Sequence, residues 1–171
     1  MAYDSGLLLL RLGLGALLFV HGGQKLGLFE GRGVRAFAGG LEKMGIRPGY
    51  PFAWMAALSQ SFGGLLLAIG FLSPAGALVL ASSMAVAVTV LIRNGFWMAR
   101  GGYEYSLVLC VAFLALSLTG PGRWSVDGLL GLSLPEPWTW LLFAAGGAAG
   151  VAATMVARQR RQPQPDAAPA A

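Results

Sequence analysis

Arg11, His21, Lys25, Gln60, Tyr103 and Glu104 lie within or at the ends of stretches that are otherwise almost wholly apolar. In a membrane each such side chain is costly, so each calls for a partner, a substrate or a structural duty. His21, Gln60 and Glu104 are the candidate catalytic residues, of types that exchange protons or hydrogen-bond a carbonyl oxygen. Arg11 and Lys25 can hold negative charge, and with Tyr103 they are the candidate binding residues. His21 and Lys25 follow Arg11 by ten and fourteen positions. On a helix all three then fall within an arc of about 80°, a stripe that should look into a bundle.

Each residue also has a plainer reading. Arg11 can snorkel to the headgroups and pair with Asp127 or Asp4, and Lys25 can snorkel from a helix end. Glu104 follows Gly101-Gly102 and opens an apolar helix, where a carboxylate gains from the helix dipole. The other reading of Glu104 is a pair with Lys25 or Arg100 facing a cavity. His21 is the only histidine, and no Cys or carboxylate cluster has ligand spacing, so no metal site is expected. A His/Met haem is disfavoured on the same count. Cys110 is the only cysteine and lies in an apolar run, where it packs as a small apolar residue. Nothing resembles a phosphate-binding loop, a dinucleotide fingerprint or a nucleophile elbow.

The elements that must position these residues are five apolar runs: roughly Leu7 to Leu28, Phe52 to Phe71, Ala75 to Ile92, Tyr103 to Leu118 and Trp138 to Ala157. A hydrocarbon core about 30 Å thick takes about 20 residues of helix. The runs are too long and unalternating for barrel strands, so the expected fold is an all-α bundle of five transmembrane helices. Lys25, Arg32, Arg35, Lys43 and Arg47 fill the first gap, and Arg93 and Arg100 lie in the third. Arg158, Arg160 and Arg161 follow the last run, whereas the second gap holds no cation and the fourth only Arg123. An N-out/C-in orientation therefore keeps ten of the twelve Lys and Arg residues in the cytoplasm.

The chain has 171 residues, 56% hydrophobic and 11% charged, with a formal net charge of +5. Topology accounts for that charge, and its spread over three segments excludes a nucleic-acid patch. The N-terminal run lacks a basic leader and carries Arg11, so a retained span is expected instead of a cleaved signal. Between the first two runs, Val34, Phe37, Leu41 and Met44 recur at helical spacing. This predicts a short amphipathic helix on the cytoplasmic surface, weakened by Gly39-Gly40. Gly13, Gly15, Gly63, Gly64 and Gly70 suit close helix contact, and Gly146 with Gly150 makes a small-xxx-small pair for bundle packing or homo-oligomer formation. Trp54, Trp97, Trp124, Trp138 and Trp140 fall near run ends, as interfacial anchors do. The tail from Gln162 to Ala171 is rich in Pro, Ala and Gln and is expected to be disordered.

An ordered set of short motifs resembles the DoxX family of small bacterial integral membrane proteins. The set runs Leu10-Arg11-Leu12, His21-Gly22-Gly23-Gln24-Lys25, Gly63-Gly64-Leu65-Leu66-Leu67 and Gly102-Tyr103-Glu104-Tyr105, and closes on Gly120 to Asp127. It covers about residues 7 to 128. Two departures stand out. Gln60 occupies the position, three before the paired glycines, where the family pattern has Glu. The family domain has four spans, so residues 1–128 would form a DoxX-like four-span core. Residues 129–157 would add a linker and a further span, and 158–171 a basic tail.

The resemblance implies a multi-pass protein of the bacterial cytoplasmic (inner) membrane. Relatives include subunits of a thiosulfate:quinone oxidoreductase and a partner in a complex that handles thiols and oxidative stress. The function expected is therefore an integral-membrane subunit of a redox complex. Its interior polar site would bind a quinone or an anionic sulfur compound, alongside a soluble or membrane redox partner. Cofactor identity stays open, with quinone the one the resemblance suggests. The alternatives are a non-catalytic anchor or assembly subunit, which Gln60 and the lone cysteine favour, and a small-solute carrier.

Overall fold

In the computed structural model, which describes residues 1–135 and 137–159, every regular element is helical and no strand occurs among the described residues. The α-helices are α1 (Ala2–Leu26), α2 (Gly33–Lys43), α3 (Gly49–Ile69), α4 (Ser73–Leu91), α5 (Glu104–Thr119), α6 (Val126–Leu130) and α7 (Trp138–Gln159). Single 3-10 turns, Ile92–Asn94 and Met98–Arg100, lie between α4 and α5. Four helices are long and apolar enough to cross a membrane: Ala2–Leu26, Gly49–Ile69, Ser73–Asn94 and Trp138–Arg158. The fourth apolar run forms α5, whose 16 residues rise only about 24 Å.

Glycine sets the closest approach, between α1 and α3. A Cβ on Gly15 would stand 2.7 Å from Gly64 O and from Ala68 N, and one on Gly22 only 2.5 Å from Ser61 N. Gly64 meets Phe19 N at the same 2.5 Å. Backbone therefore touches backbone at two levels seven residues apart, as small residues permit in lipid. Gly13, expected to serve the same purpose, faces open space, because it is two residues out of register with this seam.

The α3–α4 connection is tight: Gly70 takes φ 74° and Leu72 φ 47°, both left-handed. Next to it lies a core of Leu7, Leu18, Leu67, Leu80, Met84 and Phe113, drawn from α1, α3, α4 and α5. A second cluster joins Val34, Ala38, Leu41 and Ile46 to Ala53 and Val90 at the opposite end. The amphipathic helix thus forms as α2, but it is docked on the bundle through Val34, Ala38 and Leu41, while Met44 is exposed. Gly39 and Gly40 do not break it, since both point into open space and the apolar face carries the packing.

The last long helix lies beside α4, with only 6% of its spanning window buried against 33–44% for the other three. Gly147 meets Ser82 and Gly150 meets Val86, while Gly146 is open. The expected Gly146/Gly150 pair is therefore split, with Gly150 turned to α4. Outward-facing Leu9, Leu10, Leu17, Val108, Val111 and Leu118 are exposed, an apolar surface suited to lipid. The expected disordered tail, with Arg160 and Arg161, lies outside the described residues.

Gly22→Leu should lower stability by about 3 kcal/mol, because backbone lies in the way of the new side chain. Gly13→Ala should hold or raise the melting point of the detergent-solubilised protein, read by thermal unfolding.

Candidate functional site

Two polar clusters lie at opposite ends of the α1–α3 seam. At the N-terminal end of α1, Arg11 is only 1% exposed. Its Nη2 donates to the carbonyl of Trp124, and its guanidinium fills the space that a side chain at Gly70 would need. Nε and Nη1 have no hydrogen-bond partner, and Arg11 forms no ion pair among the described residues. Arg11 is thus enclosed by the protein's own residues. Asp127, also buried, does not pair with Arg11 but caps α4: its Oδ1 accepts from Leu72 N and its Oδ2 from Ser73 N, both at 2.8 Å. Its own N–H donates to Gly70 O at 2.9 Å. A carboxylate on two helix-start donors is well placed, and it holds Leu72 in its left-handed conformation.

The same segment is tied to α1. Asp4 Oδ1 accepts from Arg123 N at 3.0 Å, and Tyr3 OH donates to Thr119 O at 3.1 Å. Ser125 Oγ caps α6, accepting from Gly128 N. Gly120 to Asp127 is thus stitched across α1 and the α3–α4 turn, chiefly through bonds to backbone.

At the other end, Lys25 Nζ donates to Gln60 Oε1 at 2.6 Å and to His21 O at 3.3 Å. Gln60, 4% exposed, passes the chain on, its Nε2 donating to Ser83 Oγ at 3.1 Å. The Phe37 ring of α2 lies 5.2 Å from the ammonium, within cation–π range. The three hydrogen-bonded residues come from α1, α3 and α4, so this chain crosses the bundle. Glutamine suits the position because one amide can accept from Lys25 and donate to Ser83 together; an ionised Glu could only accept.

The remaining candidates are elsewhere. His21 is exposed, at the edge of the arc whose centre holds Lys25. Glu104 pairs with neither Lys25 nor Arg100; its Oε2 accepts from Met98 N at 3.1 Å and its N–H donates to Phe96 O at 2.9 Å. The reason is local: the loop after α4 folds back on the start of α5, presenting backbone donors to the carboxylate. Tyr103 stacks edge-on against Phe96, with centroids 5.6 Å apart, and Gly102 lies where a Cβ would strike Gly95 O. Sequence reasoning missed Ser83 and Phe37. Ser82-Ser83 in the middle of an apolar run was the available signal, whereas the local spacing marks Phe37 only as part of an apolar helix face.

Asp127→Ala should destabilise the protein by about 3 kcal/mol, with Asp127→Asn recovering part of the loss because one acceptor remains. Thermal unfolding of the two variants against the parent checks this.

No curated protein and no solved structure matches the chain. The DoxX family model matches residues 6–93, just over half of the 171. That stretch holds Arg11 and the whole Lys25–Gln60–Ser83 chain; Glu104 and the Gly120–Asp127 segment lie beyond it. A match running from α1 to the end of α4, through the helices that carry the buried polar chain, makes this protein a member of the DoxX family.

Proposed function

We propose that the protein is an integral-membrane subunit of a redox complex, and that Lys25, Gln60 and Ser83 receive the polar head of a quinone or a small anionic sulfur compound. The observation that carries this reading is the 2.6 Å hydrogen bond from Lys25 Nζ to Gln60 Oε1, with no carboxylate paired to Lys25 among the described residues. A cation inside helices in lipid is stable only against negative or electron-rich groups. Lys25 has three donors; His21 O and Gln60 Oε1 take two, leaving one for a carbonyl or anionic oxygen. Gln60 holds the ammonium in place, Ser83 fixes the Gln60 amide, and Phe37 covers one side. His21, one turn before Lys25 and exposed, is available for proton exchange at the mouth of the site. A quinone, when bound, supplies the electron carriage that ordinary side chains lack.

The topology proposed is five spans, N-out and C-in, in a bacterial cytoplasmic membrane. It is supported by where the ends meet. Arg158 of α7 donates to Thr89 O near the end of α4, so these helices run parallel and finish together. That end carries Lys25, Lys43, Arg47, Arg93 and Arg100, whereas Arg123 is at the other, with Asp4 and the α3–α4 turn. A reporter cysteine at Arg123 in a Cys110→Ser background should react with an impermeant maleimide on intact cells, and one at Lys43 should not. The reverse pattern overturns the orientation.

A second reading, a non-catalytic anchor or assembly subunit, draws on a different observation: Arg11, Asp127 and Glu104 all bond to backbone of their own chain. Extraction of the purified protein separates the two. Quinone or anionic sulfur compound should copurify with the parent and fall about tenfold in Lys25→Met, with membrane insertion unchanged. Equal retention in both proteins sinks the interior site. A stoichiometric soluble partner kept by Lys25→Met then favours the anchor.

A further inference from the structure

A second cationic feature lies apart from the Lys25 chain, where α7 meets the connection between α2 and α3. Arg47, Pro48 and Phe52 form one wall of a shallow, open groove there, and Ala152, Ala153 and Val156 of α7 the other, with a volume of about 390 Å³. The walls are apolar apart from Arg47. Arg158 lies just beyond the groove on α7, two residues after Val156. Its Cγ is 3.8 Å from the Cβ position of Gly45, so Arg158 reaches the segment that leads into Arg47. Arg158 Nη1 donates to Thr89 O at 2.9 Å, while its buried Nε has no hydrogen-bond partner among the described residues. Arg93 follows Thr89 by four residues, in the 3-10 turn Ile92–Asn94 that succeeds α4.

Arg47 thus lines the apolar groove, Arg158 follows its last lining residue, Ala157, on α7, and Arg93 lies in the turn after Thr89, to whose carbonyl Arg158 is bonded. Among the described residues no carboxylate lies within 4.0 Å of any of them. The nearby acidic side chain on α2, Glu42, accepts from Gly49 N at 3.0 Å and forms no ion pair among the described residues. Uncompensated arginines at a membrane-facing helix end attract anionic headgroups, and a guanidinium can bind phosphate through two parallel hydrogen bonds.

We propose that this groove binds one anionic phospholipid, with its phosphate held by Arg47 and Arg158, with Arg93 adding charge, and an acyl chain lying along Ala152, Ala153 and Val156. The charge selects against zwitterionic lipid, whose ammonium would meet three like charges. Because α7 has little other burial, the lipid fastens it to α3. The site is independent of the Lys25 chain and stands whether or not that chain binds a ligand.

The test is native mass spectrometry and thermal unfolding of the full chain, delipidated in detergent and supplied with phosphatidylglycerol, phosphatidylcholine or inorganic phosphate. Phosphatidylglycerol should bind one to one and raise the melting point; the other two should not. Arg47→Gln and Arg158→Gln should each weaken retention about tenfold, the loss of one charge-assisted contact. Ala153→Trp should do so by filling the groove with no change of charge. Equal binding of phosphatidylcholine, equal stabilisation by phosphate alone, or undiminished retention in Arg47→Gln and Ala153→Trp overturns the proposal. If Arg158→Gln does not fold, those last two variants decide.

Discussion

The backbone-to-backbone contact of α1 with α3 governs what the other parts of this molecule can do. Helices in lipid gain little from burying apolar side chains against one another, since the surrounding tails are equally apolar. Close approach is therefore the main source of contact, and it needs positions without side chains. Gly15, Gly22 and Gly64 supply them. Their seven-residue repeat on α1 keeps one face of that helix against α3, and that register brings Lys25 within hydrogen-bond reach of Gln60. The same register puts Arg11 against Gly70 at the other end.

The two ends use polar groups differently. Around Arg11 and Asp127, side chains satisfy backbone: the α3–α4 turn, the start of α4 and the Gly120–Asp127 segment all depend on a side-chain oxygen or nitrogen from elsewhere in the chain. These are long-range ties, joining residues 54 to 113 positions apart. The remaining Arg11 nitrogens are walled in, with Nη1 packed against Gly70. Around Lys25 and Gln60, side chains meet side chains, and a donor is left over on a half-buried ammonium. Both ends therefore hold unused donors, but those of Arg11 are enclosed by the protein, whereas the one on half-buried Lys25 is placed where a ligand can reach it. That contrast is the physical ground for looking to the Lys25 end for function.

Glu104 shows how a local loop can occupy a side chain that the sequence also offers as a site residue. A carboxylate at a membrane-helix start, next to tyrosines and two glycines, has the look of a site. The glycines are there because Gly101 is left-handed and Gly102 has no room for a Cβ, so the loop closes on itself and Glu104 is used on Met98 N. Gln60 is the opposite case. By the family pattern it is a lost acid; in place, its amide does two jobs that a carboxylate could not do together.

The helices, their approximate ends, the apolar outer surface and the amphipathic segment before Gly49 were legible in the sequence, because run length, 3.6-residue spacing and charge position are local properties. That Arg11, Lys25 and Gln60 would need partners was legible too, since the cost of a polar group in an apolar run does not depend on the fold. Who those partners are was not. Trp124 O, Ser83 Oγ and Phe37 are 113, 58 and 12 positions from Arg11 or Lys25, and only the helix register brings them near. The same holds for Gly13 and Gly146, which match the small-residue pattern yet face open space. Composition determines which residues can approach closely; which of them do is decided by the rotation of each helix about its axis, and that is a property of the whole bundle.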